Sequence, residues 1–152
     1  MTLPAVSPLQ GWTILRFLIA MAAGNLLWEL GHMPLYTLWV EGTWGEIAYA
    51  VLHCTVGDVM IAGIFLLLSL AFIGRSAWPR ARFGAVALAT ILMALSYTVF
   101  SEWLNTEVRG SWAYREAMPR VPGLGIGLTP ILQWIVVPVL AFRWAEPGVE
   151  RE

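Results

Sequence analysis

Lysine is missing from this 152-residue chain: all nine basic residues are arginine, set against ten acidic residues for a net charge of −1. With no basic block and no positive excess, nothing favours a nucleic-acid partner. A single cysteine, Cys54, leaves no intrachain disulfide and no cysteine-built zinc cage. Only two histidines are present, His32 and His53. Charge of either sign is scarce. Charged residues make up 12% of the chain and hydrophobic ones 59%, where a soluble domain carries about 25% charged residues. That balance makes the lipid bilayer the chain's first partner. The length suits one helical unit spanning 1–152, with no separate soluble domain.

What is present in place of charge is long apolar runs. A helix rises about 1.5 Å per residue, so about 20 residues cross the hydrocarbon of a bilayer. The runs predict an all-α, multi-pass membrane protein, a bundle of four transmembrane helices near 13–39, 47–73, 83–104 and 127–145. The first run is interrupted early only by Arg16. It lacks a basic leader and continues through Asn25 and Glu29, so it reads as a retained helix, not a cleaved signal. Pro34 ends or kinks it, and 39–45 form a short loop. Residues 1–10 read as a disordered or interfacial lead. The longest polar segment, 103–127, closes in glycines 123, 125 and 127. No strand precedes these glycines, so they mark a flexible re-entry into the last helix, not a phosphate loop. Thr129 reads as the N-cap of that helix, Pro130 as its first turn and Pro138 as an internal kink.

Arg75, Arg80, Arg82 and Arg143 fall on one side of this arrangement, with Arg16 near them. Arg109, Arg115 and Arg120 fall on the other, offset by Glu41, Glu46, Glu107 and Glu116. Basic residues near helix ends favour the cytoplasm, so both termini are expected there, in an inner membrane. Trp39, Trp44, Trp103 and Trp112 would form an outer interfacial belt, and Trp12, Trp78 and Trp144 an inner one.

The apolar runs hide costly residues at a common level. Counted from the cytoplasmic ends of their helices, Glu29, Asp58 and Thr98 fall at one depth, with His32, His53 and Glu102 about a turn further out. Asn25, Glu29, His32 and Tyr36 form one stripe at helical spacing, and Thr98, Ser101, Glu102 and Asn105 another. Cys54 and Asp58 share a face of the second helix, beside His53. Hydrocarbon satisfies none of these groups, so the stripes must face one another. Glu29 and Asp58 should then lie close, and two ionised carboxylates at short range in a low dielectric repel unless a proton, an imidazolium or a metal intervenes.

Several readings of this cluster are open. Glu29 and His32 make a Glu-x-x-His pair, the spacing of metal sites in bundle cores. With His53, Asp58 and Glu102 they give two imidazoles and three carboxylates, a set suited to divalent iron, manganese or zinc. A di-iron centre would need a second such motif, which is missing. His32 and His53 on adjacent helices suit axial ligation of haem b, although the carboxylates make its apolar slot less favourable. Metal-free acid–base catalysis on a lipid-soluble substrate, such as an isoprenoid, would use Glu29, Asp58 or Glu102 as proton carrier. Finally, the cluster can be wholly structural: Glu29 bonding His32, Asp58 bonding Asn25 or Thr98, and Arg109, Arg115 or Arg120 folding onto Glu102. That reading describes an accessory or scaffold subunit of a larger membrane complex, or a homo-oligomer. Gln133 is a further candidate for the cluster. Cys54 reads as a packing residue, and 101–114 as either an interfacial helix lying over the cluster as a lid or a wet loop with belt tryptophans.

Three blocks carry a resemblance: Trp28-Glu29 with Pro34-Leu35-Tyr36-Thr37; His53-Cys54-Thr55-Val56-Gly57-Asp58; and Ser101-Glu102-Trp103-Leu104-Asn105 with Trp112 and Tyr114. Together, over most of the chain, they resemble an uncharacterised group of small bacterial four-helix integral membrane proteins. The resemblance implies a bacterial inner-membrane location and carries no activity with it.

Overall fold

Two local signals place the first helices. In the computed structural model, which describes residues 7–74 and 77–148, α1 (Pro8–His32) opens on a capping box. The Ser7 hydroxyl accepts from the Gln10 backbone N–H, and the Gln10 side chain accepts from Ser7 N–H. Pro8 follows at the first helical position, where its missing N–H costs nothing. Residues 7–10 are therefore helix or cap, not lead; the rest of the expected lead, 1–6, lies outside the described residues. At the other end Pro34 converts the helix to a tight turn, Met33–Leu35, and Tyr36 is extended.

After the single turn α2 (Leu38–Glu41), a second capping box between Thr43 and Glu46 starts α3 (Trp44–Ser69), ahead of the expected residue 47. The helix runs on into a wider π-turn, Leu70–Gly74. Helix α4 (Phe83–Trp103) likewise continues through a π-turn, Leu104–Val108. Helix α5 (Leu128–Ala145) contains Pro138. Its N-cap is Gly127, not Thr129; the Thr129 hydroxyl instead donates to Met118 Sδ at 3.3 Å.

The fold is all-α, and the described residues contain no strand, only two isolated bridges. Four stretches, 8–35, 44–74, 83–108 and 128–145, are long and apolar enough to cross a membrane. Helix α1 packs on α3 and α5, and α4 packs on the same two. The order round the bundle is therefore α1, α3, α4, α5, with α3 and α5 on a diagonal. Leu27, Val56, Met60, Leu67 and Phe72 point outward and are exposed, as lipid-facing residues must be.

The half of the bundle where α1 starts and α5 ends, the inner half by the expected orientation, is packed with aromatics and small residues. Phe17 and Phe142 lie with ring centroids 4.2 Å apart, and Phe83 meets Phe142 edge-on at 5.9 Å. Ser69 and Thr90, both buried, bond across α3 and α4 at 3.0 Å. Trp78 is not part of an inner belt: it is buried, stacks on Phe83 at 6.1 Å, and accepts a hydrogen bond from the Gln10 amide at its carbonyl. Trp12, Trp39, Trp44, Trp103 and Trp144 remain exposed, consistent with interfacial positions. Arg16 lies over Trp144 at 4.8 Å and also donates to its carbonyl, tying α1 to α5 at this end.

Close approach of α1 and α5 rests on Gly24, where an added Cβ would come within 2.7 Å of the Val137 side chain. Gly24→Leu should therefore destabilise the bundle by about 1–3 kcal/mol through overpacking. Thermal unfolding in detergent reads this directly, and an unchanged midpoint would show that α1 and α5 are not in contact there.

Candidate functional site

In the outer third of the bundle the polar stripes converge on one cavity of about 230 Å³. Helix α1 and the turn after it bring Glu29, His32 and Tyr36; α3 brings His53, Cys54 and Asp58. Helix α4 contributes Thr98, Ser101 and Glu102, and α5 contributes Gln133. Asn25, Glu29, His32, Thr98, Glu102 and Gln133 are all buried, while Asp58 is partly so. The common depth expected from residue counting is thus a real juxtaposition of side chains.

Gln133 is the centre of it. Its amide nitrogen lies 3.0 Å from Asn25 Oδ1, 3.0 Å from Glu29 Oε1 and 2.9 Å from Asp58 Oδ2. Since α3 and α5 sit on the diagonal, this amide bridges the middle of the bundle. It follows that the Glu29 and Asp58 oxygens are within about 6 Å of each other. An amide nitrogen carries two hydrogens, and three oxygens compete for them. One acceptor is always left short of a donor.

The three carboxyls differ in how firmly they are held. Glu29 is engaged at both oxygens, Oε1 by Gln133 and Oε2 by His32 Nε2 at 3.0 Å. Asp58 is engaged only at Oδ2. Glu102 accepts from the Tyr114 hydroxyl and lies beside the Trp112 indole, whose N–H lacks a well-aligned partner. Burial first, then the Glu102 carboxylate, pushes the Tyr114 phenol above the usual tyrosine range, and the same two causes raise Tyr36 well above it. Both phenols stay neutral, and Tyr114 remains a proton donor to Glu102.

Tyr114 reaches Glu102 because the outer loop is strapped down as a roof. Thr37 N–H donates to the Ala113 carbonyl at 3.0 Å, and Arg115 N–H donates to that of Leu35 at 2.9 Å. The Arg115 guanidinium donates to the Pro34 carbonyl at 2.8 Å. Tyr36 and Tyr114 pack with ring centroids 5.4 Å apart, and Arg120 lies over the Tyr114 ring at 5.4 Å. Gly123 and Gly125, with φ of 81° and 71°, make the tight return that lets Val121 N–H reach the Ile126 carbonyl at 2.8 Å. The glycine-rich run is therefore an ordered turn. Of residues 101–114, the first eight continue α4 and its π-turn, 107–111 are exposed, and Trp112 and Tyr114 fold back over the cavity as a lid.

Several expected contacts are replaced. None of the outer arginines reaches Glu102; Tyr114 occupies that role, because Arg115 and Arg120 are spent on Pro34 and on Tyr114 itself. Asp58 bonds Gln133, not Asn25 or Thr98. Asn105 leaves the cavity: at the start of the π-turn its amide turns back to Ser101. His53 lines the rim but is exposed and stacks on Tyr49 at 5.4 Å. With His32 Nε2 engaged by Glu29, the two imidazoles are not arranged as an axial pair. Among the described residues no three of His, Cys, Asp and Glu are arranged to hold a metal ion. Trp112, expected in the outer belt, lines the cavity.

No family model matches the chain, no curated protein matches it, and no solved structure matches its fold. The site therefore has to be read from its own chemistry.

Losing the Tyr114 hydroxyl should loosen the lid. Tyr114→Phe is expected to speed tryptic cleavage after Arg109, Arg115 and Arg120 several-fold in reconstituted vesicles, with the helices left intact. Cleavage at the wild-type rate would mean that the Glu102 contact does not hold the roof.

Proposed function

We propose that this protein is a membrane-embedded acid–base enzyme that shifts a proton on a lipid-soluble substrate held in the outer cavity. What supports the reading best is the unequal engagement of three clustered carboxyls. Glu29 is held at both oxygens, whereas Asp58 keeps Oδ1 clear of protein donors. Proton transfer needs a carboxyl oxygen free to approach the reacting atom, and a neighbour that fixes the carboxyl's orientation. Asp58 meets both needs, with Gln133 as the orienting group. Glu102, coupled to the neutral Tyr114 phenol, is the second proton-transfer group on a different wall. Glu29, His32 and Gln133 are positioning residues.

The reaction class that fits is migration of a double bond or an equivalent prototropic shift. One carboxyl, ionised, takes a proton from carbon while the other, protonated, returns one to a different carbon, and proton exchange with solvent at the rim restores both groups. Atoms and electrons balance without any co-reactant. The lid covers one side of the cavity, and the developing charge meets the fixed dipoles of Gln133 and Tyr114 there. A divalent metal bridging the carboxyls is less well supported, since His53 stands apart on Tyr49. We place the protein in a bacterial inner membrane with both termini cytoplasmic. Arg16, Arg80, Arg82 and Arg143 at one end of the bundle support that orientation.

The test is isotopic and works while the substrate is still unidentified. Purified protein in vesicles made from total bacterial lipid is incubated in D₂O, and the lipids are surveyed by mass spectrometry. Wild type should place deuterium at carbon in one lipid class. Asp58→Asn and Glu102→Gln should each lower the rate by about 10²-fold or more. If no lipid gains carbon-bound deuterium, or Asp58→Asn proceeds at the wild-type rate, the acid–base reading fails and a scaffold role takes its place.

A further inference from the structure

Along the outside of the bundle, α1 and α5 leave an open apolar groove of about 720 Å³. That lies within the range of about 300–1,000 Å³ found for ligand sites. It extends from His32 and Thr129 at the outer end, past Gly24 and Val136, to Leu140 and Trp144.

Two observations distinguish it from ordinary lipid-facing surface. First, Trp28 and His32, one turn apart on α1, line the groove, and Trp28 Nε1 and His32 Nδ1 are buried without a partner among the described residues. His32 as a whole is 6% exposed. An unmade hydrogen bond in hydrocarbon is costly, and an alkyl chain cannot relieve it. The indole N–H is a donor. In the neutral tautomer whose Nε2–H donates to Glu29, His32 presents Nδ1 as an acceptor. A hydroxyl is the simplest single group that accepts from the first and donates to the second.

Second, the charge around the outer end suits a neutral head. The groove is lined by no arginine or carboxylate, and the Glu29 carboxyl stands just behind His32. Arg115 and Arg120, the arginines nearest in the lid, are committed to Pro34 and Tyr114. A phosphate head would therefore find no arginine lining the groove to offset its charge.

We infer that the groove binds a neutral long-chain lipid alcohol. Its hydroxyl bonds Trp28 and His32 once their rings turn toward the groove, since both nitrogens are now covered, and its chain lies along Gly24, Val136 and Leu140. His32 also lines the inner cavity, so it stands between the two spaces. Naming this alcohol as the substrate class that passes His32 to reach Asp58 rests on the acid–base reading; binding in the groove does not.

Gly31 provides the test, because it lines the groove and no heavy atom lies within 4 Å of where its Cβ would be. Gly31→Phe puts a ring at the groove wall from a Cβ that meets no other atom. The full chain, in phosphatidylcholine vesicles, is photolabelled with a long-chain primary alcohol carrying a diazirine in its chain, and the labelled peptides are mapped. Label should concentrate on Leu27, Val136 and Leu140 and fall about tenfold or more in Gly31→Phe. Unlabelled alcohol should compete, and phosphatidic acid should not. Equal labelling of Met60 and Leu67 on the lipid face of α3, undiminished labelling of Gly31→Phe, or equal competition by phosphatidic acid would overturn the proposal. Leu140→Trp, placed on the exposed wall of α5, fills the groove from the other side should the first variant fold poorly. Groove labelling without deuterium transfer would defeat the acid–base reading alone. Deuterium transfer with labelling indifferent to both fillers would defeat the groove alone.

Discussion

Hydrocarbon offers no hydrogen bonds, and this bundle places three carboxyls, an imidazole and two amides inside it. Each of those groups must find its partner in the protein or cost several kcal/mol. The solution is one glutamine. Gln133 reaches Asn25 and Glu29 on one neighbouring helix and Asp58 across the diagonal, so three of the four long helices are joined at a single amide. Bonds of this kind average under about 1 kcal/mol in membranes, yet a shared amide also fixes the rotation of each helix about its axis. Remove the amide and Asp58 loses both its orientation and its donor, while Glu29 loses one of its two partners.

The two halves of the bundle therefore do different work. The inner half is held by Phe17, Phe83 and Phe142, by the Ser69–Thr90 bond and by the close approach at Gly24. The outer half cannot be close-packed, because its polar side chains converge on a cavity. The lid compensates by bonding to the end of α1 through backbone groups at Leu35 and Thr37 and by sending Tyr114 down to Glu102. A firmly packed half carries a looser, polar half on the same helices. That arrangement holds the polar groups on rigid elements around an open cavity.

Much of this was legible in the sequence, and the reasons are specific. Four long runs with almost no charge are long and apolar enough to cross a bilayer as helices, and the spacing of Asn25, Glu29 and His32 set one face without any structure. Helix starts were written as Ser7-Pro8-Leu9-Gln10 and Thr43-Trp44-Gly45-Glu46, capping boxes that composition alone passes over. The partners were harder. Gln133 is uncharged and sits in an apolar run, so nothing local marks it as the shared donor; its importance follows only from the diagonal geometry. Tyr114 belongs to a loop whose strapping depends on backbone groups of residues far away in sequence. Asn105 and Trp78 misled for the opposite reason, since a π-turn rotated the first away and a neighbouring phenylalanine buried the second.

The central claim, that the Gln133 amide ties the carboxyls of α1 and α3 into one unit, is tested most directly by a double-mutant cycle. Unfolding free energies in detergent would be measured for wild type, Gln133→Leu, Asp58→Leu and the double variant. The account predicts a coupling energy of about 1 kcal/mol, because the second substitution removes a group whose partner is already gone. Additive effects, agreeing within about 0.3 kcal/mol, would contradict it and leave the two residues as independent occupants of the same cavity.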